Sequence, residues 1–329
     1  MATAEQLKAL LRSFAEGDES RFLSVAMQVA AQEARQGHAK LAHELRALID
    51  QVKARGQVVP RQPRIPTPVV QPKGELAGLL SASYPKTRLG DMVLESSILH
   101  QLDRVIREHH HAHKLREHGL HPRHRLLLLG PPGSGKTMTS SALAGEMTLP
   151  LLTIQLDGLI TKFMGETASK LRLVFDAMKT TRGVYLFDEF DSIGGQRAAS
   201  NDVGEIRRVL NSFLQFLEQD TSDSIIVAAT NHPQMLDAAL FRRFDDVIEY
   251  KLPSRELIAR TLGSRLGTFL PPELPLEALA QEAEGLSYAE ISRACDEALK
   301  EAILTDHSFV DAAAIKRACS ERRAARRNP

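Results

Sequence analysis

Apolar residues recur at three- and four-residue spacing through the start of the chain: Leu7, Leu10, Leu11 and Phe14, then Phe22, Val25, Ala26 and Val29, then Leu41, Leu45, Leu48, Ile49 and Val52. That period gathers them on one face of a helix, which predicts about three amphipathic helices broken near Gly17 and Gly37. Residues 1–55 are therefore expected to form a small N-terminal helical module. The stretch "VVPRQPRIPTPVVQPKG" (58–74) follows. Repeated prolines remove backbone donors and fix φ, so an extended connector is expected over 56–85. An edge strand laid on the main domain is the alternative for the same stretch.

From about residue 86 the period changes. "RLLLL" (125–129), "LLTIQL" (151–156), "VYLF" (184–187) and "IIVAAT" (225–230) are short, nearly continuous apolar runs separated by helical stretches. Strands buried on both faces read this way, and helical crossovers between them imply a mostly parallel sheet. After Pro253 only helical patterns remain: "RELIARTLGSRLG", "LEALAQEAEG", "SYAEISRACDEALKEAI" and "DAAAIKRAC". The expected fold is α/β, a parallel sheet sandwiched by helices over 86–250. A small helical lid domain with a basic tail is expected over 251–329.

Composition narrows the class. The 329 residues carry 42 Lys and Arg against 41 Asp and Glu, a balance that points neither to nucleic acid nor to an acidic membrane as partner of the whole molecule. Cys295 and Cys319 have no metal-type spacing and cannot make a disulfide framework, so a reducing cytoplasm fits. The start lacks the basic region and apolar stretch of a signal peptide, and no apolar run approaches a membrane span. Seven of the twelve histidines fall within 108–124. His109 and His113 stand one helical turn apart, a possible metal pair, but a solvated helix and turn is the favoured reading. The tail "ERRAARRNP" reads as a frayed, solvated end.

The chemistry lies at the ends of the predicted strands. "GPPGSGKT" (130–137) follows "RLLLL" and matches the Gly-x-x-x-x-Gly-Lys-[Ser/Thr] phosphate loop. Gly130, Pro131, Pro132, Gly133, Ser134 and Gly135 let backbone N–H groups turn toward phosphate oxygens, and the helix that starts there, through Met138, adds a favourable dipole. Lys136 is expected on the β- and γ-phosphates of ATP, and Thr137 on Mg²⁺. "VYLFDEFDSIG" (184–194) ends a buried strand in two carboxylates. Asp188 is assigned to Mg²⁺ and Glu189 to orienting and deprotonating the attacking water. Asn231 ends the strand "IIVAAT" and can position that water. Arg242 and Arg243 follow a short amphipathic helix and suit the charge that develops on a transferred phosphoryl group.

Taken in order, "GPPGSGKT", "LFDEFDSIGGQR", "AATN", "LFRRFD" and "GLSYAEI" resemble the motifs of AAA+ ATPases, in particular the AAA group that includes katanin, spastin and the ESCRT-disassembly ATPases. The resemblance covers about residues 86–320. It implies Mg²⁺-dependent ATP hydrolysis, a ring of copies of the chain that is usually a hexamer, Asn231 as the sensor residue, and Arg242 and Arg243 as arginine fingers reaching the next subunit's ATP. It also places Lys162, Phe163 and Met164, in "TKFMGETASK" (161–170), on a pore loop that grips polypeptide. "QRAASNDVGEIRR" (196–208) resembles the second pore loop. "GLSYAEI" would begin the lid helix that closes over the nucleoside, but Tyr288 stands where the family usually has a small residue, which puts adenine packing in question. The N-terminal module resembles bacterial AAA ATPases paired with subtilisin-like serine proteases, implying a protease or substrate adaptor.

The leading expectation is therefore an ATP-driven protein remodeller or unfoldase, with a subtilisin-like protease as a candidate partner. A nucleic-acid-acting loader and an ATP-gated switch that threads nothing are the competing classes. The aromatic loop and the paired arginines oppose the first of these, and tolerance of Phe163 loss would mark the second.

Overall fold

The computed structural model describes residues 71–159, 164–191, 203–236, 238–271 and 273–327, and Ala26, which is helical. The expected N-terminal helices, most of the Pro-rich connector, Lys162 and Phe163, and residues 192–202 lie outside these. Met164 and residues 203–208 are described as helix only. The chain divides into two units, Met1–Val69 and Val70–Pro329.

Within the second unit the first elements are β1 (Leu80–Ser83), α1 (Ser96–His110), α2 (Ala112–Glu117), β2 (Arg125–Leu129), α3 (Lys136–Met147) and β3 (Leu151–Ile154). There follow α4 (Leu156–Leu159), α5 (Met164–Thr180), β4 (Val184–Phe187), α6 (Val203–Gln219), β5 (Ile225–Thr230), α7 (Ala238–Phe241) and β6 (Asp246–Glu249). The C-terminal helices are α8 (Arg255–Leu266), α9 (Leu276–Glu282), α10 (Tyr288–Leu304) and α11 (Ala312–Arg327).

The six strands form one sheet in the order β1-β3-β4-β5-β2-β6. All neighbours are parallel except β1, which pairs antiparallel with β3, Leu80 opposite Ile154 and Ser83 opposite Leu151. The apolar runs read as doubly buried strands are so because alternate residues enter different cores. Leu127, Leu129, Tyr185, Phe187, Ile226 and Ala228 face one core, which includes α5 and α6. Leu126, Leu128, Val184, Leu186, Ile225 and Val227 face the other, which includes α1 and α3. Each fully buried leucine contributes roughly 2 kcal/mol by removal from water, so the central strands anchor the fold.

Two strands were not among the four read from the apolar runs. Leu80–Ser83, inside the segment assigned to the connector, is an edge strand with an alternating burial pattern. Asp246–Glu249 is the opposite edge, where only Ile248 is buried. Both are edge strands with one packed neighbour, so neither carries the continuous apolar signature of the centre. Asp246 closes its edge through Arg104 at 2.9 Å. The second expected strand, 151–156, stops earlier than the sequence suggested, at Ile154, because Leu156 opens α4.

The last four helices pack on a core of their own, including Ile258, Leu262, Leu279, Ile291, Cys295, Ile315 and Cys319. Ser254 and Ser287 cap α8 and α10, and Ser287 shares a reciprocal capping box with Glu290. Both cysteines are buried free thiols, and burial pushes Cys295 up to about 12 and Cys319 up to about 11. In the histidine-rich segment His109 is buried and donates from Nε2 to the Arg123 carbonyl at 2.7 Å, while exposed His113 stands 3.3 Å from Glu117. Among the described residues no group of three or more His, Cys, Asp or Glu could hold a metal ion, and no helix is long and apolar enough to cross a membrane.

Candidate active site

The C-terminal ends of neighbouring strands β4, β5 and β2 meet at one place, where parallel sheets expose ligand-binding loops. The loop 130–135 leaves β2 and enters α3 at Lys136. Two of its glycines are dictated by close approach. A Cβ on Gly130 would lie 2.3 Å from the Tyr250 carbonyl oxygen, and one on Gly133, at φ +74°, would lie 2.7 Å from Ser287 Oγ and 2.9 Å from Ala289 Cβ. The loop is thus wedged between the end of β6 and the start of α10. The Ala289 N–H donates to the Gly133 carbonyl at 3.1 Å, tying the helical part to the loop. Behind it, buried Tyr250 and Thr139 share a hydrogen bond of 2.6 Å.

Lys136 is 6% exposed, and among the described residues its ammonium pairs with no carboxylate. It donates to the carbonyls of Gly130 at 2.7 Å and Pro131 at 2.9 Å and to Asn231 Oδ1 at 2.8 Å. Burial lowers its pKa, and the charges of Asp188 and Asp191 oppose that shift. Its hydrogen-bond partners are neutral carbonyl and amide oxygens, which an anionic oxygen can replace. Beside it Thr137 Oγ1 donates to Asp188 Oδ2 at 2.7 Å. The two present adjacent hard oxygen donors at the mouth of the loop, the donor chemistry that Mg²⁺ takes.

Glu189 has φ +49°, the left-handed region, which for a non-glycine residue costs about 1–3 kcal/mol and is concentrated at functional sites. The conformation reverses the chain after β4. Phe190 turns into the core, fully buried, its N–H donating to the Ala229 carbonyl at 2.8 Å. The Glu189 side chain is left exposed beside Asp188, whose Oδ1 accepts from the Glu189 N–H at 3.0 Å. Asp191, which the sequence reading passed over, accepts from Thr230 Oγ1 at 2.8 Å and so links the acidic loop to the strand that delivers Asn231.

Lys136, Thr137, Asp188, Glu189 and Asn231 are thus gathered around one loop. Arg242 and Arg243 are not gathered with them. Both are exposed in the turn between α7 and β6, and Arg243 forms an ion pair with Glu218 near the end of α6. Next to the phosphate loop opens a cleft of about 420 Å³ lined by Asp91, Met92, Ser134, Met138, Arg265 and Tyr288 among others. Its far wall, Gly90 to Leu94, was missed from sequence, since nothing local to that stretch marks it as facing a loop some forty residues away.

A family model described as the ATPase family associated with various cellular activities (AAA) matches residues 126–252. An uncharacterized AAA family ATPase, y4kL, of Sinorhizobium fredii is 33% identical over 98% of this chain and 96% of its own length. The ATP-dependent zinc metalloprotease FtsH of Acidothermus cellulolyticus is 30% identical over 68% of this chain, and the match spans 35% of that protein. The proteasome-activating nucleotidase of Aeropyrum pernix is 34% identical over 62% of this chain and 52% of its own length.

Proposed function

Because the chain belongs to the AAA family of ATPases, which bind and hydrolyse ATP with Mg²⁺, we propose that it assembles into a ring, a hexamer, that spends ATP on remodelling or unfolding polypeptide. The observation that carries this reading is what the chain shares with its relatives: an ATPase portion in common with an ATP-dependent metalloprotease and a proteasome-activating nucleotidase. The "KFMG" stretch after β3 supports it from the sequence side.

In this reading Lys136 exchanges its carbonyl partners for the β- and γ-phosphate oxygens, supported by the loop's N–H groups and the start of α3. Thr137 and Asp188 hold Mg²⁺, which neutralises phosphate charge when bound. Glu189 is turned outward by its backbone, and its carboxylate accepts a proton from the water that attacks the γ-phosphorus. Asn231 orients that water and, in leaving Lys136, signals that the γ-phosphate has arrived. Arg242 and Arg243 stabilise the transferred phosphoryl group of a neighbouring copy. Their exposure, and the pairing of Arg243 with Glu218, suit a role in trans better than one at the chain's own loop. Lys162, Phe163 and Met164 grip substrate, with Phe163 supplying a ring that contacts side chains without regard to sequence. Residues 1–55 recruit the partner, for which a subtilisin-like serine protease is the candidate.

The deciding experiment measures ATPase rate of the full chain with a permanently unfolded protein and, separately, with single- and double-stranded DNA. Stimulation by unfolded protein alone supports remodelling. Stimulation by DNA alone replaces it with the loader reading. No response to either, with turnover intact, leaves the ATP-gated switch.

A further inference from the structure

Thr230, the last residue of β5, is fully buried and bonded to each of the three loops that build the site. Its carbonyl accepts from the Gly130 N–H of the phosphate loop at 3.3 Å. Its hydroxyl accepts from the His232 N–H at 3.0 Å, closing a turn in which a threonine side chain bonds the backbone two residues on. The residue enclosed by that turn is Asn231, whose amide meets Lys136. The one proton of the hydroxyl goes to Asp191 Oδ1 at 2.8 Å. A hydroxyl rotates to suit its partners, so an acceptor that commits its proton also aims its lone pairs. With the proton given to Asp191, a lone pair faces the His232 N–H and the turn around Asn231 stays closed. Asp191, itself half-buried, is held from its own side too. Phe190, before it, is fully buried and donates to the Ala229 carbonyl, so two successive residues after Glu189 are fastened to the end of β5.

We propose that Asp191 is a positioning residue for ATP hydrolysis: through the Thr230 hydroxyl it keeps closed the turn that sets the Asn231 amide. The inference rests on the nucleotide-site reading above and adds to it a carboxylate, two places beyond Glu189, that acts at one remove from the reacting atoms. The phosphate loop keeps its own contacts, the Gly130 N–H on the Thr230 carbonyl among them, and these do not depend on the Asp191 side chain. Loss of the Asp191 bond therefore leaves ATP binding in place while Asn231 loses its fixed position, so the effect falls on turnover.

The test measures kcat and, separately, the ATP dissociation constant of the full chain with Mg²⁺. Asp191→Ala should lower kcat about 10- to 100-fold, the cost of misplacing a group that must be aligned, and leave the dissociation constant within a few fold. Asp191→Asn should recover most of that turnover, because an amide oxygen still accepts from Thr230. Thr230→Val, close in shape but without the hydroxyl, should repeat the loss, and Thr230→Ser should recover it. A double-mutant cycle shows whether Asp191 acts through Asn231, since residues that work as a unit are not additive. In an Asn231→Ala background, Asp191→Ala should cost no more than a few fold further. The proposal is overturned if Asp191→Ala turns over ATP as wild type does, if its ATP affinity falls in step with its turnover, if Asp191→Asn is as impaired as Asp191→Ala, or if the losses of Asp191→Ala and Asn231→Ala multiply. Should Asp191→Ala fail to fold, Thr230→Val and Thr230→Ser decide alone, and equal turnover in the two overturns the proposal. Wild-type turnover in Asn231→Ala, or wild-type ATP affinity in Lys136→Ala, would instead overturn the nucleotide-site reading.

Discussion

Asn231 Oδ1 accepts a hydrogen bond from Lys136 Nζ at 2.8 Å, so the loops leaving neighbouring strands β2 and β5 are joined by one side-chain contact. Under the proposed function the amide occupies a position on the ammonium that a γ-phosphate oxygen would claim. Lys136→Ala removes the main positive charge of the loop, and ATP affinity should fall by a hundredfold or more, measured by calorimetry, with little change in thermal midpoint. Asn231→Ala should keep ATP affinity within a few fold and lower turnover. Unchanged ATP affinity in Lys136→Ala would remove the loop from nucleotide binding.

Glu189→Gln should bind ATP normally and hydrolyse it about 10²- to 10⁴-fold more slowly, the usual loss of a general base. The ATP-bound variant should assemble more completely by light scattering. Glu189→Gly tests the backbone separately. Glycine accepts φ +49° without strain, so this variant should unfold at least as high as wild type while also failing in hydrolysis. Normal turnover in either variant would exclude Glu189 from the chemistry.

Arg243→Ala and Arg242→Ala should leave ATP binding by a single subunit intact and lower the ATPase of the assembled protein by roughly 10³-fold, as for arginines acting in trans. Mixing Arg243→Ala subunits with Lys136→Ala subunits is the check. The second kind cannot use ATP but has its arginines intact. Failure to recover turnover in the mixture would show that Arg243 acts within its own chain or not at all.

Phe163→Ala should separate ATP use from mechanical work, because the residue follows β3 and lies apart in sequence from the strand ends that carry Lys136, Asp188 and Glu189. Loss of the ring removes a contact of roughly 1–3 kcal/mol with substrate if the ring is buried there. ATPase should persist while unfolding of a fluorescent test protein stops, and Phe163→Tyr should retain most of that activity. Full unfolding activity in a well-folded Phe163→Ala protein would rule out threading by this loop.

His109 gives a pH dependence of stability. Burial lowers its folded pKa below the ordinary 6.5, so the unfolded chain binds the proton more readily than the native one. Its contribution is complete above that value and is lost as pH falls below it toward the folded pKa. The thermal midpoint should drop between pH 7.5 and 5.5, and the drop should be smaller in His109→Gln. Equal slopes for the two proteins would show that other groups set the dependence.

Much of the site was legible because its signals are local. The phosphate loop needs glycines and a lysine at fixed offsets after a strand, and the acidic pair needs only the end of an apolar run, so "GPPGSGKT" and "VYLFDEF" announce themselves. Lys136, Thr137, Asp188, Glu189 and Asn231 come together because their strands are neighbours. Asp191, Tyr250 and the wall at residues 90–94 carried no such signal. Each matters through a partner far along the chain: Thr230, Thr139, or the cleft beside the loop.

The sequence by itself determined the α/β class, the central strands and which residues stand at their ends. Periodicity and loop motifs follow from backbone geometry within a few residues, and no distant contact can alter them. Only the tertiary structure decided the strand order, the two edge strands, the left-handed turn at Glu189, the pairing of Arg243 with Glu218 and the position of Tyr288 in the cleft. Edge strands pack on one neighbour and so lose the apolar run that marks a central strand. A tyrosine at the start of a helix has no fixed meaning until the fold brings Ser134, Met138 and residues 90–94 into one cleft with it.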